Sequence, residues 1–218
     1  MTRRLHLGAL LVGVLLGTGE GDARAAILPP VALNEGTTPL AVLVLPATPD
    51  PLEQLAAREL GDHLQLMTGA ELPRAISGHE PAGLLPVHLG AAADPALDAL
   101  SLAAGNNPST FTLRVTPERI DLRGLSPEGT LFAAYELLEQ LGFRWYMPGE
   151  LGCVLPTDPV ARLTAQTTTQ APSMDLRLLQ PWIEAQHGWI ARMRLGGQRR
   201  ATGSHGFPGD PPRGALGG

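Results

Sequence analysis

The order of strand and helix signals in this 218-residue chain predicts an α/β domain, a mixed β-sheet with two helices packed on one face, followed by the start of a second unit. Three observations predict it. Two amphipathic helical stretches open on Asp50-Pro51 and Ser126-Pro127 and close on glycine. Short apolar runs precede and separate them, and a pair of alternating segments flanks the turn at Pro117 and Glu118. Residues 26–160 carry all of these signals, a length sufficient for one hydrophobic core.

In chain order, Leu40–Leu45, with Val42 and Val44, reads as a buried strand. Pro49, Asp50 and Pro51 interrupt it and start a helix running to about Thr68. Its apolar stripe is Leu52, Leu55, Ala56, Leu60, Leu64 and Met67, and Gly69 stops it. Val87–Gly90 reads as a second buried strand, and an Ala-rich, Pro-interrupted stretch to Ala104 follows with no assigned element. Thr110–Val115 and Arg119–Leu122 read as an antiparallel hairpin. Ser126 then caps the second helix with Pro127 at its first turn. Leu131, Ala134, Tyr135, Leu138 and Leu141 face one way on it, Glu136, Glu139 and Gln140 another, and Gly142 ends it. Arg144–Met147 is expected to add a last edge strand to the sheet.

Leu155–Pro172 is rich in Thr, Gln and Pro without apolar periodicity, so residues 161–172 are expected to be a linker. Beyond it, Leu176–Leu179 reads as a first barrel strand. Trp182–Leu195 reads as a helix with Trp182, Trp189 and Met193 near one side. A closed barrel takes about 250 residues, whereas 46 follow Pro172. Residues 173–218 are therefore expected to be an incomplete barrel fragment or, from about Thr202, a Gly- and Pro-rich disordered tail.

The N-terminus has Arg3 and Arg4, an apolar run from Leu5 to Leu16, and small residues at Ala23 and Ala25. This reads as a secretory signal, residues 1–25, cleaved after Ala25. The apolar run falls short of the 20 or so residues of a membrane span, the alternative being an N-terminal anchor. A secreted or periplasmic protein is expected, with no span in the mature chain. Cys153 is the single cysteine, so no intrachain disulfide can form.

Charge narrows the partners. The chain has no lysine and a net charge of −5. Between Ala26 and Ala171 seven arginines face sixteen acidic residues, a net of −9, which argues against nucleic acid. The Arg192–Arg200 cluster reads either as a solvated helix face or as an anion-binding patch.

Candidate chemistry is sparse. Glu59 and His63 share a helix face four residues apart, the spacing of a metal pair or acid–base couple, but no second ligand pair accompanies them. A structural histidine held by Glu59 is the simpler reading, and no metal or other cofactor is expected. A lysine-bearing phosphate loop is ruled out by composition. Gly203, Ser204, His205 and Gly206 lack the strand and helix that would present a nucleophile.

The motif Gly129-Thr130-Leu131-Phe132-Ala133, then Leu141-Gly142-Phe143-Arg144-Trp145, then Pro148-Gly149-Glu150, resembles the N-terminal domain of bacterial alpha-glucuronidases of glycoside hydrolase family 67. It also resembles the related secreted proteins grouped as domain of unknown function 4838. Beta-N-acetylhexosaminidases carry a similar α/β domain before their catalytic barrel. Ala57, Glu59, Leu60, Leu64, Thr68, Gly69, Leu72 and Pro73 match the first helix of these proteins and its exit, so the resemblance covers roughly residues 40–160. Where the resembling proteins commonly have arginine, this chain has Glu128.

The resemblance implies a bacterial, non-catalytic accessory domain in polysaccharide degradation, with carbohydrate and the chain's own catalytic barrel as its partners. The alternatives are a stand-alone carbohydrate-binding or interaction module and the N-terminal part of an active enzyme. Catalytic carboxylates would come from the barrel. The barrel-like region offers Asp175, Glu184 and Asp210, none in a recognisable motif, so no residue is assigned a catalytic role. Arg144, Trp145 and Tyr146 are the candidate substrate-binding residues, an aromatic platform for a sugar face beside a guanidinium for a uronate carboxylate. The alternative is that Trp145 packs in a contact between domains and Arg144 pairs with an acid such as Glu150.

Overall fold

In the computed structural model of the chain, the described residues are 29–177 and 187–195. Residues 1–28, which include the stretch read as a secretory signal, Leu178–Gln186 with Trp182 and Glu184, and everything from Gly196 lie outside them.

The elements run β1 (Val31–Ala32), β2 (Asn34–Glu35), β3 (Thr38–Pro39), β4 (Ala41–Leu45), α1 (Pro51–Thr68), β5 (Arg74–Ile76) and β6 (Leu85–Leu89). Then follow α2 (Leu97–Ala104), β7 (Phe111–Val115), β8 (Ile120–Gly124), α3 (Pro127–Gln140), β9 (Arg144–Trp145) and β10 (Cys153–Val154). The last elements are β11 (Arg162–Leu163), β12 (Gln166–Gln170) and α4 (His187–Arg192). The fold is mixed α/β. Six strands form one sheet in the order β12-β7-β8-β6-β4-β5. β5, β4, β6 and β8 are parallel, while β7 pairs antiparallel with β8 and β12 antiparallel with β7.

Both long helices start as their sequences predict. The Asp50 carboxylate accepts from the Leu52 amide at 2.8 Å and Glu53 reaches back to the Asp50 amide at 3.0 Å, a reciprocal capping box. Glu53 also accepts from the Ala91 amide at 3.1 Å, tying the helix start to the end of β6. Ser126 caps α3, its Oγ accepting from Gly129 N and donating to Pro108 O at 2.8 Å. The Gly-Thr pair that opens α3 has a packing reason. A Cβ on Gly129 would sit 2.6 Å from Thr110 O, and one on Gly124 would sit 2.2 Å from Thr130 N. The start of β7, the end of β8 and the first turn of α3 touch backbone to backbone, which only glycine permits.

Strand alternation divides the sheet into two unlike faces. Leu43, Val87, Leu89, Phe111, Leu113, Val115, Ile120 and Leu122 point to one side, where α1 and α3 pack side by side and complete the core with Leu60, Leu64, Tyr135, Leu138 and Phe143. Two helices on one face is the expected arrangement. The other face is covered as well, which sequence reasoning missed. There α2, within the Ala-rich stretch, lies against β7, β8 and β12. It is held by a 2.9 Å contact between Ser101 Oγ and Thr112 Oγ1 and by a two-pronged Arg123–Asp98 pair at 2.7 and 2.8 Å. Its polar contacts leave no long apolar stripe to read.

Two further expectations need correction. The stretch read as a linker at 161–172 contains β11 and β12, and β12 is the outermost strand beside β7. An outer strand with one solvated face needs no apolar alternation. Its threonines suit extended backbone, and Thr169 Oγ1 meets Thr112 Oγ1 at 3.0 Å. Arg144–Met147 does not extend the sheet at either edge. β9 instead pairs antiparallel with β10 in a separate ribbon. Of the expected Trp182–Leu195 helix, α4 occupies His187–Arg192.

Candidate functional site

The three residues assigned to substrate binding do not share a surface. Extended backbone sends alternate side chains opposite ways, so Trp145 turns inward, 4% exposed, while Arg144 and Tyr146 face outward, with Tyr146 73% exposed. The Trp145 ring stacks with Phe143 at 6.1 Å and meets His63 and Tyr135 edge-on at 5.6 and 5.9 Å. The Arg192 guanidinium lies over it at 5.8 Å. The Trp145 ring is thus packed in the core cluster. Arg144 donates from Nη1 to the carbonyls of Glu139 and Phe143, each at 2.6 Å, so it caps the end of α3 and does not pair with Glu150.

Glu59 and His63 are brought together as their spacing requires, and His63 is the buried structural histidine expected, held by the backbone of Glu59 rather than by its carboxylate. His63 donates from Nδ1 to the Glu59 carbonyl at 2.7 Å, and the Glu59 carboxylate is 3.8 Å away. That carboxylate accepts from Arg192 Nε and Nη2 at 3.0 and 3.3 Å. Burial lowers the His63 pKa below the usual histidine value. Among the described residues no cluster of three or more His, Cys, Asp or Glu could hold a metal ion.

The arginines of the Arg192–Arg200 cluster that are described are engaged in contacts, which corrects the solvated-face reading. Arg194 Nη2 donates to Glu136 at 2.9 Å and Glu139 at 2.8 Å. Trp189 Nε1 donates to the Trp145 carbonyl at 2.9 Å, and Ile190 is buried. Residues 187–195 are thus fastened across α1 and α3 by three acids and one backbone carbonyl. Helical spacing put Glu136 and Glu139 on one face, but nothing local tells which arginine they meet.

Beside this contact lies a cavity of about 500 Å³, bounded by Phe111 and Phe132 of the domain, by Met174 and Arg177, and by Met193 and Leu195. Sequence reasoning missed it because its walls come from segments far apart in the chain. Arg177 donates to Ser109 Oγ at 3.0 Å, and Ser109 donates to the Glu128 carboxylate at 2.5 Å. The position where the resembling proteins commonly carry arginine thus holds an acid that meets a downstream arginine through a hydroxyl. Asp175, one of the three barrel-region carboxylates, is exposed and accepts from Asn107 Nδ2 at 2.8 Å. Glu184 and Asp210 lie outside the described residues.

The α2 face holds a second polar centre. Asp121, fully buried, accepts from Arg114 Nη2 at 2.9 Å, from Arg119, and from the Asp94 amide at 3.1 Å. Arg114 also donates to Asp94 at 2.8 Å and so holds that carboxyl below the usual carboxylate range. His88 sits 3.4 Å from Glu80 and 4.0 Å from Asp121. Its pKa is lowered by burial and then by the nearby Arg119 charge. Each acid is bound to arginine or backbone, an arrangement suited to holding α2 and the hairpin together.

Comparison with protein-family models and with curated proteins gives no match. Solved structures that resemble the chain are glycoside hydrolases. One is a family GH115 4-O-methyl-alpha-glucuronidase with specificity for decorated arabinogalactans, at 17% identity and a TM-score of 0.49, covering 67% of this chain and 19% of that one. Another is the GH20 exo-beta-N-acetylglucosaminidase of Vibrio harveyi, at 15% identity and a TM-score of 0.40, covering 68% of this chain and 18% of that one. The N-acetyl-beta-hexosaminidase of Streptomyces plicatus is similar at 17% identity and a TM-score of 0.40, covering 68% of this chain and 24% of that one. The chain aligns with about a fifth of the length of these enzymes.

Proposed function

We propose that this α/β unit is the accessory, non-catalytic domain of an exported glycoside-hydrolase-like protein of polysaccharide degradation, its work being to seat the polypeptide that follows it. The observation that carries the reading is the fastening of residues 187–195 onto α1 and α3 through Arg192–Glu59, Arg194–Glu136, Arg194–Glu139 and Trp189–Trp145. A platform of this kind fixes the start of the next unit. The resemblance of Gly129–Ala133 and Leu141–Trp145 to alpha-glucuronidase-like proteins supplies the substrate class, with glucuronic-acid-containing polymers included. Cleavage of a glycoside calls for two carboxyl groups about 5 to 9.5 Å apart across one sugar. The acids on the α1–α3 face are bound to arginine, which suits a scaffold better than a catalyst.

The exposed aromatic and apolar side chains of the β9–β10 ribbon, Tyr146, Met147 and Leu151, favour carbohydrate contact at that tip as a second role. In it Tyr146 stacks on a sugar, Arg144 stands beside it, and Trp145 supports the strand from behind.

The test uses the chain from Ala26 with aryl alpha-glucuronosides and beta-N-acetylhexosaminides as substrates, and uronic-acid oligosaccharides as ligands. No turnover is expected, with weak oligosaccharide binding that Tyr146→Ala removes. Turnover lost on Asp175→Asn or Glu184→Gln would overturn the accessory reading. Charge reversal by Arg194→Glu is expected to speed amide exchange in α4 while leaving the sheet protected. Unchanged α4 exchange would remove the platform argument.

A further inference from the structure

The cavity beside the docked segment has features of a ligand site that the accessory role does not use. Its volume of about 500 Å³ lies within the 300 to 1,000 Å³ or so usual for small-molecule sites. Phe111 and Phe132, both almost fully buried, form its floor, and Met174, Met193 and Leu195 its sides. Thioether side chains adapt to ligands of varied shape. The polar side chains of the wall are Ser109, Gln170, Arg177 and Arg194.

Arg177 decides the chemistry. Among the described residues its partners are neutral oxygens: Nε donates to Arg194 O at 3.0 Å, Nη1 to Met174 O at 2.8 Å and Nη2 to Ser109 Oγ at 3.0 Å. Each Nη carries two N–H groups, so one remains on each, the pair a carboxylate accepts in bidentate fashion. The other arginine of the wall is already matched, since Arg194 is held by Glu136 and Glu139 and its guanidinium lies 5.9 Å over the Phe111 ring. Glu128 is engaged by the Ser109 hydroxyl. The cavity therefore joins an anion-binding fork at Arg177 to a mainly apolar wall that is open to solvent at Met174 and Met193.

We propose that this cavity binds an amphipathic carboxylate, its acid group on Arg177 and its aliphatic or aryl body among Phe111, Phe132, Met174 and Met193. The reading is independent of the carbohydrate assignment, because a sugar would require hydroxyl partners along the walls, and eight of the twelve lining residues are apolar.

The probes are decanoate and decanol, titrated calorimetrically against the whole chain below their micelle or solubility limits. Decanoate is expected to bind one per chain and at least tenfold more tightly than decanol. Shortening the acid by one methylene is expected to weaken binding about fourfold. In Arg177→Gln the acid and the alcohol should bind equally, with the affinity for decanol unchanged. Absence of saturable decanoate binding, equal affinities in the unaltered chain, or an acid preference that survives Arg177→Gln would each overturn the proposal. If Arg177→Gln does not fold, the acid-to-alcohol ratio and the chain-length series on the unaltered protein decide the matter.

Discussion

The two faces of the sheet are stabilised by different physics. On the α1–α3 side the contacts are apolar and aromatic, with Phe143, Trp145, Tyr135 and His63 in one cluster. On the α2 side buried Val42, Val44 and Leu97 are joined by ionic and hydroxylic contacts centred on Asp121. The comparison teaches where each kind of stability resides. The apolar face draws on area removed from water, which many residues share. The ionic face depends on a few matched charges, so the loss of one partner strands the others.

The largest expected effect tests the apolar face. Trp145→Ala removes the ring shared by Phe143, Tyr135, His63 and Arg192 and is expected to cost about 3 to 5 kcal/mol, measured by urea unfolding. A cost below about 1 kcal/mol would show the cluster to be peripheral. Next comes Asp121→Asn, which leaves Arg114 and Arg119 facing a neutral amide. It is expected to cost about 3 kcal/mol, the low end for a broken buried pair, because both guanidiniums keep some water contact. Restoring part of that loss by adding Arg119→Leu would locate the penalty in the stranded charge.

Acid separates the faces further. His63 and His88 both have lowered pKa values, burial being the leading cause in each. The unfolded chain therefore binds more protons near and below the ordinary histidine value of about 6.5. Their contribution is complete above that value and is lost as the pH falls toward the depressed folded values. His63→Asn is expected to flatten the slope of stability between about pH 6.5 and pH 5, and an unchanged slope would mean that His63 is solvated. Asp94 and Asp98 are lowered in the fold by bonds to Arg114 and Arg123. Their contribution is present above the ordinary aspartate range and falls away only in stronger acid. The smallest effect is expected from Arg162→Ala on the exposed pair with Asp158, under about 0.5 kcal/mol. It serves as the surface reference for the other three.

Legibility in the sequence follows the same division. Both long helices, the strands at Leu43 and Val87 and the hairpin at Pro117–Glu118 could be read because apolar periodicity and capping pairs are local signals. The covering of the α2 face could not, since beside Val42 and Val44 its positions are Thr112, Arg114, Asp121 and Arg123, residues that read as solvent-facing until the partner element is known. The same holds for Gln166–Gln170, whose composition suggests a loop and whose backbone is a strand. The candidate residues Arg144, Trp145 and Tyr146 lie on β9 and just beyond it. The side each residue takes depends on pairing with Cys153–Val154 across a turn, which no periodicity in two residues can specify. The cavity near Arg177 was illegible because it exists only once the chain after Gln170 turns back onto Phe111 and Phe132.

The late position of β12 along the chain has a consequence for biogenesis. Until Gln166–Gln170 has paired, β7 presents a row of unpaired amides and carbonyls together with Phe111, Leu113 and Val115. Such an open edge recruits other extended chains. The glutamine- and threonine-rich strand that finally covers it turns a polar outer side to water, with Gln170 clipped to Glu136 at 2.7 Å and Gln166 to Gln140 at 3.1 Å. A chain stopped at residue 160 would keep both long helices yet is expected to precipitate on refolding, whereas one reaching residue 171 stays dispersed, a contrast that light scattering measures. The short polar strand thus acts as an insulating cap on the β7 edge.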